Sequence, residues 1–164
     1  MSELLGPMQA VLITSRAEIE QFGKKIVKDD VESVFWHMPF SKEEMVYAIA
    51  IHKGKHIVNL IKVSKVFVVN FLSSDDSKIV HKCNLMHGQH IDKFSELKLL
   101  KLESSAIECP LIKEACAYME CNVIDILEYK DYAVFIAKII NSNVKYACKR
   151  LFHLKDDKYT TTKD

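Results

Sequence analysis

The densest group of side chains that could bind a metal ion lies between residues 81 and 90. His81, Cys83, His87 and His90 supply three imidazoles and one thiol within ten residues. To share a metal ion, their ligand atoms would have to converge at about 2.0–2.3 Å from it. However, His81 and Cys83 are two residues apart on a predicted helix, and side chains at that spacing do not share a face. A surface histidine beside a buried cysteine is therefore the preferred interpretation, and a metal-binding regulator is the third hypothesis for the chain.

A second polar group forms a basic turn around Gly54. His52, Lys53, Lys55 and His56 lie where a predicted strand leads into a predicted helix. The first N–H groups of a helix have no partners within the helix, so this turn is suited to bind a phosphate group. Composition alone leaves two interpretations open, a phosphate site and a solvated loop.

The only tryptophan, Trp36, ends a predicted strand immediately before His37, Met38 and Pro39. Taken alone, an indole at such a position indicates core packing, which is the simpler of two interpretations. The same indole could also stack on a flat aromatic cofactor or wall it off from solvent.

Other common catalytic and nucleotide-binding motifs are absent from the sequence. The chain has four glycines and contains neither a GxGxxG segment nor a Walker-type loop. It also lacks the GxSxG and HExxH motifs, so nothing favours hydrolase chemistry. The five cysteines are an odd number without CxxC spacing, which predicts reduced and mostly buried thiols in a cytoplasmic protein.

The segments that must position these residues are mostly β-strands. Apolar or alternating runs predict strands over residues 9–15, 31–36, 44–51, 66–71, 117–129, 132–144, 151–154 and 158–162. Apolar residues at helical spacing predict helices over residues 55–64, after a cap at residues 73–76, and around residues 91–97. The second helix is expected to end at His87-Gly88, with Gly88 in the left-handed conformation.

Strands dominate this order and do not alternate regularly with helices, which argues against a doubly wound parallel sheet. The predicted fold class is mainly β, an antiparallel barrel that is closed or partly closed, with a few peripheral helices. The length of 164 residues fits a single domain over residues 1–164.

Charge and hydropathy argue against nucleic-acid and membrane partners. Lys and Arg number 23 against 22 Asp and Glu, without the basic stripe of a nucleic-acid-binding protein. No apolar stretch approaches the length of a transmembrane span, and the first residues do not resemble a signal peptide. We therefore expect no nucleic-acid partner, no membrane partner and a cytoplasmic location.

The most informative local sequence is residues 83–94, CNLMHGQHIDKF. Its Cys83, Gly88, Asp92, Lys93 and Phe94 coincide with fixed positions of a C-G-x-x-S-G-R-x-x-D-K-F segment. On this segment the chain resembles the flavin reductase-like family, which includes the flavoredoxins. Further segments that resemble the family in the same order are residues 11–16, 36–41, 67–70, 106–112, 120–121 and 151–154.

This resemblance implies an FMN-binding split β-barrel that forms a homodimer, with FMN held near the subunit interface. It also implies an FMN-binding oxidoreductase, either a flavin reductase or a flavoredoxin-like electron carrier. The electron donor would be NADH, NADPH or a redox protein. Because bound FMN would perform the hydride or electron chemistry, no catalytic residue is predicted.

The resemblance also assigns cofactor-binding residues. Those expected to line the flavin ring are Asp30, Ser33, Val34, Phe35, Trp36 and, where the family often has a histidine, Tyr132. Those expected near the phosphate or the polar edge of the ring are His52, Lys53, Lys55, His56, Ile57, His87, Gln89 and Lys93.

Besides Tyr132, four of these positions depart from the family pattern. Asp30 replaces an asparagine and would repel a phosphate, and Gln89 replaces an arginine. Phe35 and Ile57 stand where the family has hydroxyl groups. At roughly 0.5–1.5 kcal/mol for each lost hydrogen bond, four uncompensated losses would weaken FMN binding about a hundredfold or more. Nearby groups that could compensate are Lys28, Lys53, His56 and His87. The alternative function is a non-catalytic split-barrel binding protein that has lost efficient flavin binding.

Overall fold

β-Strands form most of the computed structural model, which describes residues 2–162, with side chains from residue 4 onward. The strands are β1 (Met8–Gln9), β2 (Val11–Gln21), β3 (Lys24–Val34), β4 (His37–Ser41), β5 (Val46–His52), β6 (Val66–Phe71), β7 (Lys101–Glu103), β8 (Pro110–Ile112), β9 (Ala117–Tyr129), β10 (Tyr132–Val144), β11 (Leu151–Lys155) and β12 (Lys158–Thr161). The helices are α1 (Ser2–Leu5), α2 (Ile57–Ser64), α3 (Ser77–Leu85) and α4 (Lys93–Glu96), with a 3-10 turn at Ser74–Asp76. The ends of the predicted domain, Met1, Lys163 and Asp164, lie outside the described residues.

The largest sheet runs in the order β3-β2-β6-β9-β10-β5-β4, and every neighbouring pair in it is antiparallel. The sheet curls so that its two ends meet, because the Ala50 N–H on β5 donates to the Trp36 carbonyl just after β3 at 2.8 Å. Strands β1, β11 and β12 form a small separate sheet. The predicted mainly β, antiparallel architecture is confirmed.

The first half of strand β2 is buried on both faces and separates two cores. Its Val11 and Ile13 point into the barrel with Ile49, Phe67 and other residues of β5, β6, β9 and β10. Its Leu12 points the other way, into a second core with residues of α3, α4 and the segment around Ile112. Because side chains alternate along a strand, a strand covered on both sides has an uninterrupted apolar run.

Helix α2 closes one end of the barrel. It packs against β2 and β3 and buries Ile57, Val58, Leu60 and Ile61. The helix begins at Ile57 and ends before Lys65, which has a positive φ of 60°. The predicted helix over residues 55–64 is confirmed, with a start two residues later than predicted.

Two predicted connections are strands instead. Residues 16–30, which separate the predicted strands over 9–15 and 31–36, form the outer half of the β2–β3 hairpin. Phe22 and Gly23, with φ of 52° and 71°, make its tight turn, as two-residue hairpin turns require. Residues 37–41, which separate the predicted strands over 31–36 and 44–51, form edge strand β4, where the missing N–H of Pro39 costs no hydrogen bond within the sheet.

The end of α3 also differs from the prediction. The helix ends at Leu85, and Met86 follows with an extended backbone, so His87-Gly88 does not cap it. Gly88 has no positive φ, and its lack of a side chain serves close packing against Asp30.

The prediction of five reduced thiols is wrong for one pair of cysteines. Cys116 and Cys148 form a disulfide across a sequence separation of 32 residues. Cys83, Cys109 and Cys121 are free and buried, as expected. Among the described residues, no helix combines the length and the apolar character needed to cross a membrane.

Candidate functional site

A groove of about 340 Å³ lies where the end of β3 meets β5. We call it the aromatic groove, and its walls are Met8, Glu32, Ser33, Val34, Phe35, Trp36, Ala50, Ile51, His52, Lys55, Asn84, Tyr132 and His153. The groove follows from the barrel closure, because the hydrogen bond between Ala50 and Trp36 brings the two strand ends together.

Flat rings form much of the groove. The Trp36 and Tyr132 rings stack with centroids 5.0 Å apart, and the Phe35 and His153 rings stack at 4.3 Å. His52 contacts Tyr132 edge-on at 5.4 Å. The Trp36 side chain is 42% exposed, so its ring remains accessible to a ligand. Such a surface suits a flat aromatic ligand, which gains both burial and stacking.

The aromatic groove continues into an apolar hollow of about 590 Å³. The two share Met8, Phe35, Trp36 and Ala50. The rest of the hollow is formed by Leu5, His37, Met38, Ala48, Ile49 and Val134. The imidazole of His37 is held by Tyr47 Oη at 2.6 Å and the Gln9 carbonyl at 2.8 Å. The hollow therefore offers mainly hydrophobic contacts.

A second depression of about 360 Å³ lies at the start of α2. We call it the basic depression, and its walls are Ile19, Glu20, Gln21, Lys53, Gly54, Lys55, His56, Asn59, His87 and Gln89. His87 Nε2 donates to the Gly54 carbonyl at 2.9 Å, and Lys28 Nζ donates to the Gln89 carbonyl at 2.9 Å. The first bond holds the loop after α3 beside the turn that precedes α2, and the second ties the same loop to strand β3.

His56 carries a polar atom without a partner in the basic depression. Its Nε2 is buried and makes no hydrogen bond. Burial, and then the positive charges of Lys28, His87 and Lys93, lower the pKa of His56 to about 4. At neutral pH the imidazole is therefore neutral and could donate an N–H to an anionic ligand.

A buried ionic cluster supports both depressions from behind. Lys93 Nζ donates to the Val31 carbonyl at 2.8 Å and to Glu32 Oε2 at 2.7 Å, with Asp30 Oδ1 at 3.7 Å. The other oxygen of Glu32, Oε1, accepts from Lys55 Nζ at 3.0 Å. Lys55 Nζ also donates to the Asn84 carbonyl at 2.9 Å. The cluster thus connects a fully buried lysine to one that lies in both depressions.

The electrostatics of the cluster follow from its burial. Burial raises the pKa of the Glu32 carboxyl group, although Lys93 and Lys55 oppose the shift. Burial likewise raises the pKa of Asp30, whose Oδ2 has no hydrogen-bond partner. Burial disfavours the charged form of Lys93, but Asp30 and Glu32 outweigh this effect and raise its pKa.

The structure brings most of the residues expected to bind the cofactor to these depressions. Those in the aromatic groove are Ser33, Val34, Phe35, Trp36, His52, Lys55 and Tyr132. Those in the basic depression are Lys53, Lys55, His56, His87 and Gln89. Asp30, Ile57 and Lys93 line neither depression, because all three are buried behind them. The Ser33 hydroxyl donates to the Val80 carbonyl at 2.7 Å.

Three residues that the sequence did not point to also line the aromatic groove: Glu32, Asn84 and His153. Glu32 carried a usable signal, since it shares a face with the apolar Val34 in a buried strand, and a buried carboxylate requires a partner. His153 carried no local signal, because it reaches Phe35 from the far end of the chain.

The four candidate metal ligands do not converge. Cys83 Sγ contacts the Val31 carbonyl at 3.5 Å, and His87 is held by Gly54. His81 packs edge-on against the Tyr159 ring at 6.5 Å. Between residues 2 and 162, no three His, Cys, Asp or Glu side chains are grouped to hold a metal ion.

Comparisons with known proteins agree on the family and the fold. Residues 7–162 match the family model described as the flavin reductase like domain. An uncharacterised protein of Archaeoglobus fulgidus is 30% identical over 141 residues, which cover 86% of this chain and 75% of that protein.

Three solved structures illustrate the shared fold. An FMN-binding protein from Thermus thermophilus has a TM-score of 0.84 at 14% identity, and the match covers 97% of this chain and 88% of that protein. A flavoredoxin from Methanosarcina acetivorans has a TM-score of 0.81 at 21% identity, with coverages of 96% and 86%. An NADH:FAD oxidoreductase from Streptomyces globisporus has a TM-score of 0.81 at 15% identity, with coverages of 97% and 88%. The predicted split β-barrel is confirmed.

Proposed function

Because the chain belongs to the flavin reductase-like family, we propose that it binds FMN and acts as a flavin-dependent oxidoreductase, as a flavin reductase or a flavoredoxin-like electron carrier. The observation that carries this proposal is the junction of the two depressions at Lys55. A compartment walled by aromatic rings adjoins one rimmed by lysine and histidine, which matches a flat ring joined to a phosphate.

The basic depression fits the phosphate group. Lys53, Lys55 and His87 bring positive charge or N–H donors to its rim, and the buried Nε2 of His56 has no partner within the protein. A phosphate there would also lie at the N-terminus of α2, where the helix dipole favours negative charge. Glu20 is the opposing acidic group on the same walls.

The aromatic groove fits the flavin ring. We assign Phe35, Trp36 and Tyr132 as the ring contacts, with the backbone of residues 33–36 along the polar edge. When bound, FMN would supply the hydride or electron chemistry, and the protein would supply position, charge and exclusion of water. Asp30, Ile57 and Lys93 would act only through the residues that they support, since they line neither compartment.

The proposed function also requires an electron donor and a second substrate. The electron donor is NADH, NADPH or a redox protein, and the apolar hollow beside Trp36 is where we place the second substrate. We further propose that the protein works in the cytoplasm as a homodimer. The structurally similar protein from Streptomyces globisporus is an NADH:FAD oxidoreductase. It supports NADH as the first electron donor to test and FAD as the flavin to compare with FMN.

The test uses Trp36 as an internal probe, since it is the only tryptophan in the chain. Titration of the purified protein with FMN should quench its fluorescence with saturation at one FMN per chain. FAD and riboflavin are titrated in parallel, and Trp36→Phe, followed by flavin absorbance, separates binding from quenching. NADH or NADPH should then bleach the flavin absorbance under anaerobic conditions. A chain that retains none of the three flavins would overturn the proposal.

One observation favours the alternative, a non-catalytic binding protein that has lost efficient flavin binding. Lys55 is already held by Glu32 and by the Asn84 carbonyl, so it is not wholly free for a ligand. The same titration decides between the two functions. Bound flavin that NADH or NADPH reduces supports the redox role, whereas an absence of flavin binding supports the alternative.

A further inference from the structure

We propose that Glu32 is a positioning residue that holds Lys55 at the junction of the aromatic groove and the basic depression, where Lys55 contacts the phosphate of FMN. This inference rests on the proposed function. Glu32 reaches a wall of the aromatic groove with a side chain that is only 1% exposed, and we infer that it acts on the phosphate through Lys55, on the side of the barrel where β3 meets the start of α2.

The geometry of Glu32 carries the inference. Its side chain is 1% exposed, and each of its two carboxylate oxygens binds a different lysine. Oε2 accepts from the buried Lys93 at 2.7 Å, and Oε1 accepts from Lys55 at 3.0 Å. Lys93 thereby anchors one end of the carboxylate inside the protein, and the other end is directed at Lys55.

Only a carboxylate can perform this role. Both of its oxygens accept hydrogen bonds and both carry negative charge, whereas a glutamine amide accepts on one side and donates on the other. A glutamine at position 32 therefore satisfies one lysine and faces the second with an N–H group. Lys93 is enclosed and cannot move to solvent, so an amide N–H directed at it costs more than one directed at the partly exposed Lys55. Lys55 therefore loses its partner, together with the Ser33 N–H, which Oε1 also accepts at 3.2 Å.

The hold on Lys55 leaves one donor for a ligand. A lysine ammonium has three N–H groups. Two of them are used by Glu32 Oε1 and the Asn84 carbonyl, at 3.0 and 2.9 Å. The third remains at the junction, where a phosphate oxygen would meet it. Without Glu32, the flexible four-carbon side chain of Lys55 would have to be ordered by the ligand itself.

The test compares FMN with riboflavin, which has the same ring and no phosphate. In the wild-type protein, FMN should bind more tightly than riboflavin. Glu32→Gln should weaken FMN binding about tenfold while changing riboflavin affinity less than about twofold. Glu32→Asp keeps a negative charge for Lys93 and shortens the reach, so it should lower the FMN preference even if Glu32→Gln does not fold.

Two controls distinguish the placement of Lys55 by Glu32 from an unspecific disturbance of the fold. Glu120→Gln makes the same chemical change at another buried glutamate, which lines neither depression, and it should leave the preference for FMN over riboflavin unchanged. In a Lys55→Met background, Glu32→Gln should have no further effect on the ratio of the two affinities, because the residue through which it acts is gone.

The outcomes distinguish this inference from the proposed function. A wild-type protein that shows no preference for FMN over riboflavin would overturn the phosphate site and the inference together. A wild-type preference that survives unchanged in both Glu32→Gln and Glu32→Asp would overturn the positioning role alone. We expect the folded Glu32 variants to show a smaller preference for FMN over riboflavin than the wild type. We also expect Glu32→Gln to leave that preference unchanged when Lys55 is already replaced by methionine.

Discussion

Gly88 lies directly against the carboxylate of Asp30. A methyl group at Gly88 would come within 2.2 Å of Asp30 Oδ2 and 2.4 Å of its Cγ, which is far inside van der Waals contact. The loop after α3 therefore follows the surface of a buried acid. This approach sets the position of His87 and Gln89, the two residues of that loop in the basic depression.

The first prediction concerns this close approach. Gly88→Ala should cost about 1–3 kcal/mol of unfolding free energy, because the loop or the carboxylate must shift. It should also weaken FMN binding about tenfold, since the displaced loop carries donors away from the depression. Denaturant unfolding and the Trp36 titration measure the two effects.

A second variant identifies the cause. Asp30→Ala removes the atoms that the new methyl group would meet, so Gly88→Ala should cost much less stability in that background. The double-mutant cycle reports this coupling directly. Equal costs of Gly88→Ala in the two backgrounds would mean that the contact with Asp30 does not constrain the loop.

Lys93 carries the second prediction. Lys93→Met leaves Asp30 and Glu32 buried without their shared cation, which should cost about 3–5 kcal/mol at pH 7. Lys101→Met is the matched control, because it removes a half-exposed lysine paired with Asp29 and should cost about 1 kcal/mol or less. Similar losses in the two variants would contradict the structural role assigned to Lys93.

The stability lost in Lys93→Met should change with pH in a definite direction. Burial raises the pKa values of Asp30 and Glu32, and loss of Lys93 removes the charge that opposes this rise. As the pH falls from 7 through these raised pKa values, the folded variant takes up protons that the unfolded chain does not. Its deficit relative to the wild type should therefore shrink as the pH is lowered from neutrality, as measured by unfolding at each pH.

Local patterns were sufficient for much of the fold. The β9–β10 hairpin has the predicted bounds, because both strands alternate and Lys130-Asp131 forms a two-residue turn between them. The outer half of the β2–β3 hairpin was missed because it carries many charged residues and little apolar alternation. Its strands are held by pairing with each other, which no window of sequence displays.

The candidate site was only partly predictable for a related reason. Trp36, Lys55 and Tyr132, which the resemblance assigned to the cofactor, line the aromatic groove, whereas Lys93, also assigned to it, has an enclosed ammonium. The partner that encloses it, Glu32, is 61 residues away in the chain. Pairings over such distances depend on the folded backbone, so composition and spacing cannot assign them.

The third prediction concerns the cysteines. In denaturant without reductant, three thiols should react with a thiol reagent, and five should react after reduction, because Cys116 and Cys148 are joined. Cys148→Ser should raise the first number to four. In the folded protein, burial raises the pKa values of Cys83 and Cys109 to about 12, so both should react slowly. Five reactive thiols before reduction would contradict the disulfide.

The fourth prediction follows from His56. Its pKa of about 4 in the folded protein lies below the value of about 6.5 expected for an unfolded chain. Between these two values the unfolded state binds a proton that the folded state does not, so the wild type should lose stability as the pH falls from 6.5 to 4. His56→Gln removes this loss, which we expect to be on the order of 1 kcal/mol after solvent screening.

Ligand binding should reverse the shift at His56. A phosphate in the basic depression would place negative charge beside Nε2 and favour the imidazolium, so FMN should raise the pKa of His56. Riboflavin, which lacks the phosphate, should leave it near the ligand-free value. NMR titration of the imidazole protons measures both cases, and His81→Gln on α3 is the control for loss of a histidine elsewhere. The same pKa with FMN and with riboflavin would place the phosphate away from His56, and the assignment of the basic depression would then fail.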